Sequence, residues 1–202
     1  MSLRLVLGFS AVVLFGCSKG QSSPDIAPSP IGPSGLRASA VANSTPTSHA
    51  SSVPREVMVN MQDACDPDTF NAAIGPGTCV GAGGGVTFQH FIDTLTRLGS
   101  IGAWHFAPPN SQVRVGQSFL VTNHGGEVHT FTEVEEFGGG IVPMLNDLAH
   151  VPNVAPECKT LEPDDFVAPG ATYKEDIEEE GVEKYQCCIH PWMRLEAHIS
   201  DK

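Results

Sequence analysis

The stretch VRVGQSFLVTNHGGEVHTFTEV (113–134) alternates apolar and polar residues around two turn signals, Gly116-Gln117 and His124-Gly125-Gly126. Successive strand side chains point to opposite faces, so Phe119 and Val121 share one face while Ser118, Leu120 and Thr122 share the other. Its β-branched and aromatic content suits strands buried on one side. Outward from it, similar segments recur: EVMVN (56–60), SIGAWHF (100–106), SQVRV (111–115), ATYKEDI (171–177), VEKYQCC (182–188) and RLEAHIS (194–200). Many short strands broken by Gly/Pro turns predict an all-β sandwich or barrel. One segment departs from the pattern. In VTFQHFIDTLTRLGS (86–100), Phe88, Phe91, Ile92, Leu95 and Leu98 recur at helical spacing, with Thr87 as a cap and Gly99 as a stop. The expectation is one domain over 56–202, without internal repeats, carrying one short helix on the sandwich.

The chain before residue 56 reads differently. Arg4 is followed by LVLGFSAVVLF (5–15), an apolar run too short to span a bilayer, then by small residues. This pattern predicts an export signal over 1–16. LFGC (14–17) resembles the bacterial lipobox, whose cysteine is lipidated, although Phe15 is bulkier than the residue usual there. The resemblance implies a lipid anchor at Cys17; the alternative is an ordinary secretory signal with a chance cysteine. Either puts the chain outside the cytoplasm, periplasmic or at the cell surface, where disulfides form. Residues 17–55 are dominated by Ser, Pro, Ala, Gly and Thr with no aromatic residue, so they bury too little apolar surface to offset ordering. They read as a disordered linker reaching roughly 35 Å root-mean-square, and His49 within it as a solvated residue.

Acidity excludes one class of partner. The net charge is −12, falling by one to −13 when Arg4 leaves with the signal, and the carboxylates concentrate in EVEEF (133–137), EPDD (162–165) and KEDIEEEGVEK (174–184). Nucleic acid is not expected. Such runs serve first as a solvated, solubilising face, and attraction of a basic protein partner is the alternative.

The chemistry concentrates in YQCCIHPWM (185–193). Cys187, His190 and Met193 offer a thiolate, an imidazole and a thioether within one loop. A cysteine with two histidines and a distant methionine is the set that suits blue copper. His129, at a strand start just after the Gly-rich turn, is the candidate second histidine. Cys187 and Cys188 are adjacent on a strand and point to opposite faces, so they are expected to do different jobs. The competing reading makes both ordinary disulfide cysteines beside a surface histidine.

The pattern Cys187-x-x-His190-Pro191-Trp192-Met193-Arg194, preceded by Tyr185 and joined to Val121-x-Asn123 with His129 six residues on, resembles the cupredoxins. Amicyanin and plastocyanin-like proteins are the nearest in pattern. VRVGQSFLVTN (113–123) is similar to the family's strand pair, and APGATYKEDI (168–177) to its Pro-Gly turn before the penultimate strand; nothing before Ser100 is matched. The resemblance implies a Greek-key β-sandwich holding one copper ion, cycling between Cu(I) and Cu(II), on His129, Cys187, His190 and Met193. It also implies an electron-transfer surface in which the His190 edge lies exposed, surrounded by Pro191 and Trp192. Thr130 stands where the family commonly has an Asn bridging two ligand loops, and Leu195 where a Gly is often found. The other histidines, His90, His105, His124, His150 and His198, show no spacing that compels a second metal; His124 with His129 lacks the third histidine a catalytic copper site needs.

With Cys187 on copper and Cys17 on lipid, four cysteines remain, allowing three pairings. Cys65 and Cys79 flank a short Pro/Gly-rich loop and form the natural local pair, leaving Cys158 with Cys188. That second bond would pin the irregular stretch 138–165, an insertion before the last strands, beside the copper loop. The functional expectation is an exported, lipid-anchored blue-copper electron carrier, not an enzyme, exchanging single electrons with a redox protein. A copper-binding or copper-delivery lipoprotein without a relay, and a metal-free β-sandwich interaction module, are the alternatives.

Overall fold

The computed structural model describes residues 55–81 and 83–201; the signal, Cys17 and nearly all of the linker lie outside the described residues. In chain order the elements are β1 (Glu56–Gln62), α1 (Pro67–Ala73), α2 (Phe88–Leu98), β2 (His105–Ala107), β3 (Asn110–Arg114), β4 (Ser118–Asn123), β5 (His129–Thr130), β6 (Thr132–Val134), α3 (Pro143–Leu148), β7 (Phe166–Val167), β8 (Thr172–Asp176), β9 (Gly181–Gln186) and β10 (Arg194–Ser200). Two four-stranded sheets, ordered β2-β1-β4-β8 and β3-β10-β9-β6, form the sandwich, and β5 pairs with β7 in a small separate sheet. Pairing is mixed: β1 runs parallel to β4 and β3 parallel to β10, while the remaining pairs are antiparallel.

Alternation explains the layers. Phe119 and Val121 of β4 and Val59 and Met61 of β1 are fully buried between the sheets, as are Tyr185 and Leu195 from the facing sheet. Phe131 stacks on Tyr185 at 4.4 Å between ring centroids, and Phe106 and Phe119 meet Phe131 edge-on. VHTFTEV is not one strand. It divides at Phe131, so that His129 pairs with Val167 of β7 while Thr132 pairs with Gln186 of β9. Of SIGAWHF only the end is strand, because a turn over residues 102–103 precedes β2.

The expected helix is present as α2, with the Thr87 hydroxyl accepting from the His90 N–H and Gly99 ending it at φ 70°. Among the described residues two further short α-helices accompany it, with single 3-10 turns at Glu157–Lys159 and Pro163–Asp165. α1 starts at an Asp66 cap with Pro67 at its first position, a combination that favours a helix start. Phe70 of α1 and Phe88 and Phe91 of α2 form an aromatic cluster with Trp104, just before β2, which reaches Trp192 through a 5.9 Å contact from Phe91. The other extra helix, α3, lies inside the 138–165 insertion.

Both disulfides form as the sequence analysis pairs them: Cys65–Cys79 and Cys158–Cys188. The second anchors the insertion to the end of β9, where Cys158 and Cys188 bury with Val134 and Ala155 in a small core of their own. The insertion adds a backbone bond from the Ile141 N–H to the Cys188 carbonyl. Gly140 permits this approach, since a Cβ there would lie 1.9 Å from that oxygen.

Joining residues 30 apart in sequence restrains the unfolded chain by about 3–4 kcal/mol. The double change Cys158→Ser with Cys188→Ser should therefore lower the melting temperature by roughly 10 °C and open the insertion to limited proteolysis. An unchanged melting curve and digestion pattern would show that the bond restrains nothing.

Candidate metal centre

The centre is assembled at one end of the sandwich from two segments. β9 and β10 are joined by residues 187–193, a loop closed at its base by the Cys187 N–H donating to the Met193 carbonyl at 3.0 Å, and inside by the Met193 N–H donating to the His190 carbonyl at 2.9 Å. Cys187, His190 and Met193 are thereby turned inward, and all are buried. The other segment is the 123–130 turn. Asn123 braces it: its amide donates to the Glu127 and Val167 carbonyls, and its side-chain oxygen accepts from the Gly125 N–H. This bracing is the physical content of the Val-x-Asn motif and delivers His129 to the Cys187 loop.

Three donor atoms converge. Cys187 Sγ lies 3.8 Å from His129 Nδ1 and 3.8 Å from His190 Nδ1, and the two nitrogens are 3.2 Å apart. His129 and Cys187 are 0% exposed and His190 is 3% exposed. Metal–ligand bonds run to about 2.0–2.3 Å, so two donors on one ion lie within about 4.6 Å of each other. All three spacings satisfy that limit, and two imidazoles with a thiolate are the donor chemistry for copper. Among the described residues Cys187 is the free cysteine, and His129, Cys187 and His190 form a group able to hold an ion. Met193 is fully buried at the end of the same loop.

Thr130 binds the two segments together. Its N–H points at Cys187 Sγ at 3.4 Å and its hydroxyl accepts from the Cys188 N–H at 2.8 Å, so it bridges the two segments. The His190 N–H also points at Cys187 Sγ, at 3.4 Å. Cys188 turns away to its disulfide, which separates the roles of the doublet.

One expectation needs correction. The His190 edge does not lie at the surface: Pro191 is buried as well, and Trp192 is partly buried, meeting His190 edge-on at 5.5 Å. Glu127 covers the ring, with Oε2 3.6 Å from His190 Nε2 and accepting from the Trp104 indole at 2.7 Å. Trp104 is held in turn by the α1–α2 aromatic cluster, so elements outside the sequence resemblance close this side of the centre.

Asp63 and Glu127 escaped the sequence reading. Asp63 follows β1 and lies 66 residues from the histidine it meets, at 2.8 Å from His129 Nε2. Glu127 stood two residues before His129 in the Gly-rich turn and was the only available hint. Burial works to raise the Asp63 carboxyl, but the bond from His129 and the backbone N–H groups of Glu127, Gly126 and Cys65 outweigh it and hold it down to about 2. Burial also works against a charged His129, yet Asp63 and Cys187 lift it to about 9. For Cys187, burial is outweighed by His129 and His190, which bring the thiol well below its ordinary range. Burial pushes the Glu127 carboxyl up against the pull of His190 and Trp104.

No family model and no curated protein matches the sequence. The solved structures it resembles include a purple cupredoxin from Nitrosopumilus maritimus, at 17% identity, with 71% of this chain and 98% of that one covered and a TM-score of 0.39. A Cu(I) mutant amicyanin matches at 18% identity over 48% of this chain and 73% of its own, TM-score 0.33. Oxidised plastocyanin from Dryopteris crassirhizoma matches at 12% identity over 71% and 100%, TM-score 0.37. All three are cupredoxins.

In the metal-free protein His129 is shifted up and Cys187 down, so as pH rises the stabilisation from His129 is lost while that from Cys187 is gained. The Asp63 contribution stands clear at the acid end. Its folded value is depressed from 3.8 to about 2, so its stabilisation is complete above about pH 5 and is lost as pH falls towards 2, a change of about 2 kcal/mol. Denaturant unfolding of wild type and Asp63→Asn between pH 2 and 6 should give curves that converge on acidification. Parallel curves would refute the depressed carboxyl.

Proposed function

We propose that this chain is an exported mononuclear blue-copper protein that carries single electrons between redox partners, held at a membrane by a lipid on Cys17. The observation that carries the reading is the buried triangle of Cys187 Sγ, His129 Nδ1 and His190 Nδ1, with sides of 3.8, 3.8 and 3.2 Å. His129, Cys187 and His190 would hold the copper, with the Met193 thioether of the same loop as a weaker fourth donor; bound copper would supply the Cu(I)/Cu(II) couple. The protein supplies a fixed environment. The 187–193 loop is closed by its own backbone bonds, His129 is fixed by Asp63, and Thr130 spans the two segments, so the donors need move little when the charge changes. The N–H groups of Thr130 and His190 aimed at Cys187 Sγ draw charge from the thiolate, which tunes such a centre.

Copper delivery would require the ion to be handed over, and donors exposed by no more than 3% give a partner's ligand no approach without the loop opening. Electrons need no such opening. Because His190 and Pro191 are covered, the way out is through Trp192, the partly buried ring against His190. The redox partner would meet that ring and not the histidine itself.

Two substitutions test the ligand set. Cys187→Ala should abolish the intense thiolate-to-copper band while leaving the circular dichroism of the sandwich in place; a persisting band would sink the assignment. Met193→Leu should keep copper bound and raise its potential, as expected of an axial donor. Complete loss of copper in that variant would show that the thioether is needed to form the site at all.

A further inference from the structure

The Asp63 carboxylate is built into its place more completely than a chance contact requires. Oδ1 accepts from the Cys65 N–H at 3.2 Å and the Gly126 N–H at 2.9 Å; Oδ2 accepts from the Glu127 N–H at 3.0 Å and meets His129 Nε2 at 2.8 Å. Four donors satisfy the group, and its side chain is 0% exposed. The turn is shaped around it. A Cβ on Gly125 would lie 1.9 Å from Asp63 Oδ2, and a Cβ on Gly126 would lie 2.4 Å from the Val80 carbonyl and 2.7 Å from Cys65 Sγ. The two glycines therefore admit the carboxylate on one side and the Cys65–Cys79 disulfide on the other. The Val80 N–H, donating to the Gly126 carbonyl at 2.8 Å, locks the turn against that disulfide.

We propose that Asp63 is the positioning residue of the metal centre: an anionic acceptor, clamped by three backbone N–H groups, that holds His129 by its outer nitrogen and biases the bound copper towards Cu(II). The proposal rests on the copper reading above. Its logic is geometric. Every other group around the carboxylate is a backbone donor, so the hydrogen shared with His129 must sit on Nε2. That fixes the tautomer whose free lone pair is on Nδ1, the atom facing Cys187 Sγ and His190 Nδ1. A carboxylate on the far nitrogen of a ligating histidine both orients the ring and raises its basicity. Its negative charge, in a buried site where screening is weak, favours the more highly charged oxidation state. Asp63 touches no ion and exchanges no proton in this role.

The bland alternative is a purely structural tie between the end of β1 and the 124–128 turn. It predicts lower stability in Asp63→Asn but an unchanged centre. The test uses the copper-loaded protein. Asp63→Asn should retain a thiolate-to-copper band while its midpoint potential rises by at least 59 mV, the equivalent of a tenfold change in the ratio of Cu(II) to Cu(I) affinity. An unshifted potential in a folded, coloured variant overturns the proposal. Should that variant not fold, nitrogen-15 NMR of the wild-type Cu(I) protein decides: a proton on His129 Nε2 that exchanges slowly supports the proposal, and a bare Nε2 overturns it. Absence of the band from the wild-type protein itself overturns the copper reading, and this inference with it.

Discussion

The 2.8 Å contact between Asp63 and His129 Nε2 is the constraint around which the metal end of the sandwich is organised. A fully buried carboxylate is tolerated only where its oxygens are satisfied. To satisfy it, the chain brings three N–H groups from two separated segments to one point, and that demand fixes the path of the 124–128 turn. Asn123 braces the turn from the other side through the Glu127 and Val167 carbonyls. Once the turn is fixed, His129 can face only the Cys187 loop. The donor triangle is thus a consequence of polar satisfaction around it, more than of the sandwich core beneath it.

That core has a different task. Tyr185, Phe131, Phe119 and Phe106 pack between the sheets and set the spacing of β4, β5 and β9, the strands that carry or flank the ligands. Above them the Cys158–Cys188 bond and the Thr130 hydroxyl hold the outer face of β9. Cys187 sits between a packed aromatic layer and a covalently pinned insertion. A side chain so confined has little room to rearrange.

Much of this was legible in the sequence. The alternation in VRVGQSFLVTN gave β4 as a strand, the 86–100 periodicity gave α2 with both ends, and the Cys187-x-x-His190 spacing with His129 gave three residues that meet. Adjacent cysteines on a strand had to part, and they do. What stayed hidden was non-local. Asp63 meets a histidine 66 residues away through a turn whose shape depends on two glycines, and no periodicity encodes such a meeting. The burial of His190 was hidden for the same reason: it depends on Trp104, whose position is set by α1 and α2, a region in which no resemblance was found. Where α1 begins was readable in hindsight from Asp66-Pro67, but its purpose as a wall of the centre was not.

The central claim is that one copper ion sits on Cys187, His129 and His190. X-ray absorption at the copper edge of the copper-loaded protein examines that ligand set most directly. The account predicts one ion per chain, with two imidazole nitrogens and one short copper–sulfur bond in the inner shell. A shell of nitrogen and oxygen alone, with no short sulfur contact, would contradict it.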